Sequence, residues 1–244
     1  MLNVMVTGAS RGLGLAIGRR LAAAGYHVLA VARTAGAELN EAQRQARQDG
    51  GGAIEHLPFD LSQIDQIHEL VSAARRTYGP LHGLVNNAAI GTDGMLAIMH
   101  NSQIETLIRL NITSPIVLTK YVVRNMMADG GGRIVNIGSI IGFTGYSGLS
   151  VYGASKSAIM GFTRSLAREV GKVSITVNAV APGFMDTEMT EKLDEEQRGQ
   201  IARRSALRRL AEPDDVARTV EFLLGDAGRN ISGTTVTVDA GATA

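Results

Sequence analysis

Thr7-Gly8-Ala9-Ser10-Arg11-Gly12-Leu13-Gly14 stands between a short β-branched run, Asn3 to Val6, and a segment of helical period, Leu13 to Ala24. Glycines at such a strand-to-helix turn let the backbone bend tightly and come close to a pyrophosphate. The N-terminus of the following helix favours that negative charge. A glycine-rich turn that binds nothing has the same local composition, so its position after the first strand and before a helix carries the nucleotide reading. The glycine spacing is not the common G-x-G-x-x-G.

Outward from this turn the chain keeps one rhythm. Strand candidates are Asn3 to Val6, His27 to Ala32, Ile54 to Leu57, Gly83 to Asn86, Arg133 to Ile137, Ser174 to Val180 and Thr235 to Val238. They alternate with helical periods over Leu13 to Ala24, Ala37 to Asp49, Gln63 to Tyr78, Ser102 to Met127, Val151 to Val170 and Pro213 to Leu224. Continuous apolar strands alternating with helices predict an α/β fold: a single Rossmann-like, doubly wound parallel sheet of about seven strands with helices on both faces. Asp214 and Asp215 favour the N-terminus of the last helix. No linker divides residues 1–244, so one domain is expected, and only the charged stretch from Phe184 to Glu212 breaks the rhythm. A long segment of that kind reads as a substrate lid.

Composition narrows the partners. Lys and Arg number 24 against 23 Asp and Glu, which leaves no excess of positive potential to hold a nucleic-acid backbone. The absence of cysteine excludes disulfides and thiolate metal sites, and no metal is expected. No apolar run approaches the roughly 20 residues of a membrane span, and Leu2-Asn3-Val4-Met5-Val6 lacks the features of a secretory signal. The expectation is a cytoplasmic protein with no membrane partner.

The T-G-x-x-x-G-x-G form of the turn resembles the short-chain dehydrogenase/reductase family, and the rest of the chain can be compared with it residue by residue. In Tyr152-Gly153-Ala154-Ser155-Lys156 the i, i+4 spacing puts a phenol and an ammonium on one helix face. A cation about 4 Å away at an effective dielectric near 20 favours phenolate by about 4 kcal/mol, or about 3 pKa units. The expectation is therefore a phenol brought down towards working range for proton transfer to a developing alkoxide. Alone the pair is a weak signal. Ser139 matches the family serine that holds the substrate carbonyl, and Asn111 matches the asparagine of a water-linked proton path through Lys156. A strand-ending serine, a backbone-bonded asparagine and a packed tyrosine are the ordinary alternatives for each residue taken singly.

The cofactor implied is NADPH/NADP. An acidic side chain at the end of the second strand bonds a ribose 2′-hydroxyl, whereas an arginine attracts a 2′-phosphate; here the sequence is Ala32-Arg33-Thr34. By resemblance, Arg11 converges on the same phosphate. The resemblance further assigns cofactor contacts to Gly8, Ser10, Gly12, Leu13 and Gly14 in the turn, to Arg33 and Thr34, to Asp60-Leu61, and to Asn87-Ala88. It adds Tyr152, Lys156, Pro182, Gly183 and Thr187. Asp60 has the same local pattern as a helix cap. In Asn86-Asn87-Ala88-Ala89, Ala89 replaces the family's usual glycine, and Asn86 reads as a bond between strands.

Within the family, Ser165 to Val170, Ile175 to Asn178 with Ala181 to Phe184, and Val236 to Gly241 most resemble the 3-oxoacyl-acyl-carrier-protein reductases of fatty-acid biosynthesis. This implies an NADP-dependent oxidoreductase that reduces a 3-oxoacyl thioester on carrier protein or CoA to the alcohol. A different ketone or alcohol is the alternative, because these segments describe scaffold more than pocket. Ala128-Asp129-Gly130-Gly131-Gly132 stands where that group often carries a basic pair, while Lys172, Arg203, Arg204, Arg208 and Arg209 supply cations elsewhere. Phe143, Tyr146, Leu149, Phe184, Met185 and Met189 are candidates for an apolar wall. A non-catalytic NADP sensor is the competing class, and it has no use for the four polar residues together. Resemblance also implies a homotetramer, paired through the helices from Ser102 and from Val151.

Overall fold

A computed structural model describes residues 1–185 and 195–244. Seven parallel strands form one sheet: β1 Asn3–Thr7, β2 His27–Ala32, β3 Ala53–Pro58, β4 Leu81–Asn86, β5 Gly132–Ile137, β6 Ile175–Pro182 and β7 Thr235–Val238. Their order is β3-β2-β1-β4-β5-β6-β7. Direction of winding reverses between β1 and β4, which opens a crevice at the C-terminal ends of these two strands, where open α/β sheets take their ligands.

The helices are α1 Gly12–Ala23, α2 Ala37–Asp49, α3 Ile67–Tyr78, α4 Asn101–Ile108, α5 Ser114–Asp129, α6 Ser150–Val170, α7 Glu195–Arg204 and α8 Pro213–Leu224. Alternate strand residues feed two cores. Val4, Val6, Val28, Val85 and Val135 pack with α1, α2 and α8 on one face. On the other face Met5, Leu29, Leu84, Ile134 and Val177 pack with α3, α5 and α6. Burial on both faces is why the strands read as continuous apolar runs.

Three expectations need correction. The helix expected over Ser102 to Met127 is α4 and α5 joined by a π-helical turn, Arg109–Thr113, that shifts the register at Asn111. The one expected from Gln63 begins as a 3-10 turn, Ile64–Gln66, before α3. The segment from Phe184 to Glu212 contains α7, which periodicity did not reveal because Glu-Glu-Gln-Arg-Gly-Gln-Ile-Ala-Arg-Arg has one large apolar residue. Met185 bridges Ala211 in parallel, so the two ends of that segment lie side by side. Its far end is fastened to the chain terminus by Ala206 N–H to Gly241 O (3.2 Å) and Leu207 N–H to Ala240 O (3.0 Å).

At α8 the acidic first turn works as expected. Glu212 and Asp215 form a reciprocal cap, with Glu212 N–H donating to Asp215 Oδ2 at 3.0 Å, and Arg209 lies 3.3 Å from the same carboxylate.

Candidate active site

The turn after β1 is held from β4. Thr7 Oγ1 accepts from Asn87 N–H (2.9 Å) and Ala88 N–H (3.0 Å), and donates to Val85 O (3.3 Å). Asn87 Nδ2 donates to Thr7 O at 2.9 Å and to Gly8 O at 3.3 Å. Two glycines are dictated by this closure. Gly8 has φ +66°, and a Cβ there would lie 2.9 Å from Ala88 Cα. A Cβ on Gly14 would lie 2.2 Å from Gly8 O. Asn87 and Ala88 thus stand beside the turn, with the Asn87 amide donors committed to its backbone.

Residues of the turn fit a dinucleotide phosphate. The residue capping α1 is Arg11, extended and without a side-chain capping bond, and the first helical turn holds no acidic residue. A cation at a helix N-terminus opposes the helix dipole unless an anion lies between them. Ser10 is half-buried, whereas Arg11 and Gly12 are exposed. Leu13 faces partly inward against the first core.

Arg33 and Thr34 are exposed at the end of β2. Arg33 is close enough to Asp60 to help hold its carboxyl below the usual range, after the larger effect of the Ser62 hydrogen bond. That bond, Ser62 N–H to Asp60 Oδ1 at 2.9 Å, closes a turn ahead of Ile64–Gln66, whose capping residue is Gln63 and not Asp60. The Leu61 side chain is buried in the second core, which leaves only its backbone for a ligand. Gly183 N–H donates to Val238 O at 2.9 Å just beyond Pro182, which ends β6. Thr187 and Met189 lie outside the described residues.

At the reacting end, Ser139 follows β5 and caps a short 3-10 turn, its Oγ accepting from Ile141 N–H at 3.2 Å. Tyr152 is in the first turn of α6, and Lys156 lies one turn on. The Lys156 ammonium is buried, donates to Ile137 O at 2.9 Å and sits 5.6 Å from the Tyr152 ring centre. Burial brings its pKa down to about 8. The Tyr152 phenol moves the other way: burial raises it, and a hydrogen bond with Ser139 offsets part of that rise. A phenol lowered by its lysine is therefore not what this arrangement shows. Desolvation outweighs the attraction assumed for an exposed pair.

Asn111 is buried in the π turn. Its Oδ1 accepts from Ile90 N–H (2.9 Å), while Nδ2 donates to Ile90 O (2.8 Å) and Ser155 Oγ (3.2 Å). Ser155 Oγ in turn donates to Tyr152 O at 2.7 Å. The asparagine thereby ties the loop leaving β4 to α6. Sequence reasoning missed Ile90 and Ser155, since neither residue type signals such a role. Asn86 does bond between strands: Nδ2 donates to Asn136 Oδ1 (2.8 Å) and Thr119 Oγ1 (2.9 Å), and Asn136 Nδ2 continues to Thr163 Oγ1 (2.9 Å) on α6.

Of the proposed apolar wall, Phe143 and Tyr146 are exposed, and Tyr146 meets Phe184 at a ring separation of 5.4 Å. Met185 instead packs against the first core. Asp129, where a basic pair was sought, forms a two-pronged ion pair with Arg75. Arg203, Arg204, Arg208 and Arg209 are all exposed. Among the described residues no helix is long and apolar enough to cross a membrane, and no group of acidic or histidine side chains could hold a metal.

Known proteins resemble the chain over nearly its whole length. Residues 2–198 match the family model of short chain dehydrogenases. The chain is 39% identical over 239 residues to the 3-oxoacyl-acyl-carrier-protein reductase FabG of Pseudomonas aeruginosa, covering 97% of this chain and 95% of that protein. It is 39% identical over 238 residues to the FabG of Escherichia coli K12, covering 97% and 95%. Among solved structures, a short chain dehydrogenase from Burkholderia cenocepacia in complex with NADP superposes with TM-score 0.92 at 34% identity, covering 100% and 98% of the two chains. A gluconate 5-dehydrogenase from the same organism, in complex with NADP and tartrate, gives 0.93 at 27% identity, covering 99% and 95%.

Proposed function

We propose a specific reaction for a chain that belongs to the short chain dehydrogenase family: NADPH-dependent reduction of a 3-oxoacyl thioester, on carrier protein or CoA, to the secondary alcohol. The observation that carries the chemistry is the convergence of Ser139 and Lys156 on Tyr152 at the C-terminal end of the sheet. The FabG relatives supply the substrate class. When bound, NADPH supplies the hydride.

The remaining steps belong to the chain. Tyr152 donates its phenolic proton to the carbonyl oxygen as that oxygen becomes an alkoxide. Burial raises the phenol and so keeps it in the protonated form that a donor must start from. Ser139 orients the same oxygen. Lys156 has one of its three N–H groups on Ile137 O, which leaves the others to bond the nicotinamide ribose and to stabilise charge as the phenol loses its proton. Both amide N–H groups of Asn111 are committed to Ile90 and Ser155, so its side chain holds the loop leaving β4 against α6 beside Tyr152 and Lys156. It is a positioning residue. Gly8, Ser10, Gly12 and Gly14 hold the pyrophosphate, and Arg11 and Arg33 select the 2′-phosphate. Backbone groups at Leu13, Leu61, Ala88, Pro182 and Gly183, with the side chains of Thr34, Asp60, Asn87 and Thr187, complete the cofactor contacts. The stretch 184–212 acts as the substrate lid of a single domain, and the working form is a cytoplasmic homotetramer, which light scattering tests directly.

The decisive assay compares NADPH oxidation with acetoacetyl-carrier-protein, acetoacetyl-CoA and a panel of simple ketones, and repeats it with NADH. Fastest turnover is expected for a thioester with NADPH. Rates confined to non-acyl ketones would overturn the substrate reading.

A further inference from the structure

Between Arg133 and Lys156 the chain carries no charged residue, and this stretch contains Ser139, Phe143, Tyr146 and Tyr152. Facing it is the loop that leaves β4. Both backbone groups of Ile90, at the start of that loop, are bonded to Asn111, and Gly94 N–H donates to Gly148 O at 3.0 Å. The two loops are thus fixed to each other beside the reacting residues. Between Ile90 and Met99 the single charge is Asp93.

Large apolar side chains stand out from both loops. Met95, Leu96 and Ile98 are 69%, 55% and 78% exposed, and Phe143 and Tyr146 are 51% and 47% exposed. Leu96–Ile98 is wound as a 3-10 turn between extended Met95 and Met99, so the local backbone is ordered. Large apolar side chains exposed on two loops that a backbone bond joins mark a binding surface. A carboxylate substrate needs a cation at such a place. Here the flanking charge is an anion, Asp93, and the Lys156 cation is buried on Ile137 O. An unbranched alkyl chain asks only for apolar area, and methionine beside aliphatic and aromatic groups adapts to its length.

We propose that the Met95–Ile98 turn, together with Phe143 and Tyr146, reads the acyl chain of the substrate, so that the enzyme selects 3-oxoacyl thioesters of medium chain length over short ones. This rests on the 3-oxoacyl reading above. Specificity is set by Leu96 and Ile98, which lie outside the proton-transfer and cofactor machinery.

The test is a series of 3-oxoacyl-CoA substrates from acetoacetyl to 3-oxododecanoyl, with kcat/KM measured for the unmodified protein and for Leu96→Ser and Ile98→Ser. The expected rise is about fourfold per added methylene until the surface is covered, equivalent to roughly 0.8 kcal/mol for each buried CH₂. In the variants the slope flattens while the acetoacetyl-CoA rate is unchanged. A flat chain-length profile in the unmodified protein, or an unaltered slope in both variants, overturns the inference and leaves the 3-oxoacyl reading standing. No reduction of any thioester overturns both. If Ile98→Ser lowers the oligomeric mass in light scattering and depresses all chain lengths equally, the patch is a contact with a second copy of the chain, and the inference fails.

Discussion

Two buried polar clusters, one at each end of the sheet, are built to opposite rules. At the N-terminal end Asn3 is saturated: Nδ2 donates to Tyr78 O (2.8 Å) and Pro80 O (2.9 Å), and Oδ1 lies 2.9 Å from His27 Nδ1. With both amide hydrogens donated, Asn3 can offer His27 only an acceptor, which fixes the imidazole as donor at Nδ1. At the C-terminal end Lys156 is equally inaccessible but has one hydrogen bond, and burial pulls its pKa down to about 8. A saturated cluster stabilises the fold, whereas an under-bonded buried cation destabilises it until a ligand supplies partners. The difference separates structural polarity from chemical polarity within one core.

That contrast can be broken or sharpened by substitution. Tyr152→Phe is expected to lower carbonyl-dependent NADPH oxidation by about 10²–10⁴-fold, the usual contribution of a positioned general acid, while NADPH still binds. Fluorescence titration and steady-state rates on the same sample measure the two quantities, and near-normal turnover defeats the assignment.

Lys156→Met is expected to abolish activity yet stabilise the protein without cofactor by about 3 kcal/mol at pH 7, from a shift between 10.5 and about 8. The sign follows from proton counting. Between pH 8 and 10.5 the unfolded chain binds a proton that the folded chain has released, so raising the pH through this window relieves the burial penalty. The advantage of methionine, read by denaturant melts, should therefore shrink as pH climbs from 8 towards 10.5. A less stable variant at pH 7 contradicts the account.

Asn3→Ala should do the reverse, costing roughly 0.5–1.5 kcal/mol because two part-buried carbonyls lose their donor, with kcat unchanged. A fall in kcat at full occupancy of the folded state would erase the distinction between the clusters.

The smallest effect concerns pH at the base. Burial holds the pKa of His27 and of His82, whose Nε2 lies 3.0 Å from Leu224 O, below the ordinary value of 6.5. Both are neutral in the fold, so their stabilising contribution is fully present above 6.5 and declines as pH falls through the depressed folded values. Thermal melts between pH 7 and 5 should show this loss, and it should diminish in a His27→Gln, His82→Gln double variant. The carboxylates held low by partners, Asp60, Asp129 and Asp215, respond only in more acidic solution.

Most of the scaffold was legible because parallel strands buried on both faces leave an unambiguous apolar signal; His27–Ala32 and Thr235–Val238 fall where the residues place them. The break at Asn111 was not legible, since a π turn adds one residue to a turn without altering composition, and Pro115 was the one local mark of a new helix start. Candidate site residues could be named from spacing, but the electrostatics of Tyr152 could not. Those depend on how completely α6 is covered, which no local pattern encodes. The bonding of Asn111 to Ile90 and Ser155 joins residues 21 and 44 positions away, and is set by topology alone.

The Met185–Ala211 bridge has a meaning for how such a chain can diversify. Because the backbone leaves and rejoins the body side by side at Met185 and Ala211, with one further tie from Ala206 and Leu207 to the chain terminus, what lies before that tie is a cassette. Doubling the length of such an excursion adds only about 0.6 kcal/mol of closure entropy. Residues between the two ends can then be exchanged, lengthened or recombined among relatives while β6 and α8 keep their register, so new substrate ranges can be inherited on an unchanged catalytic frame.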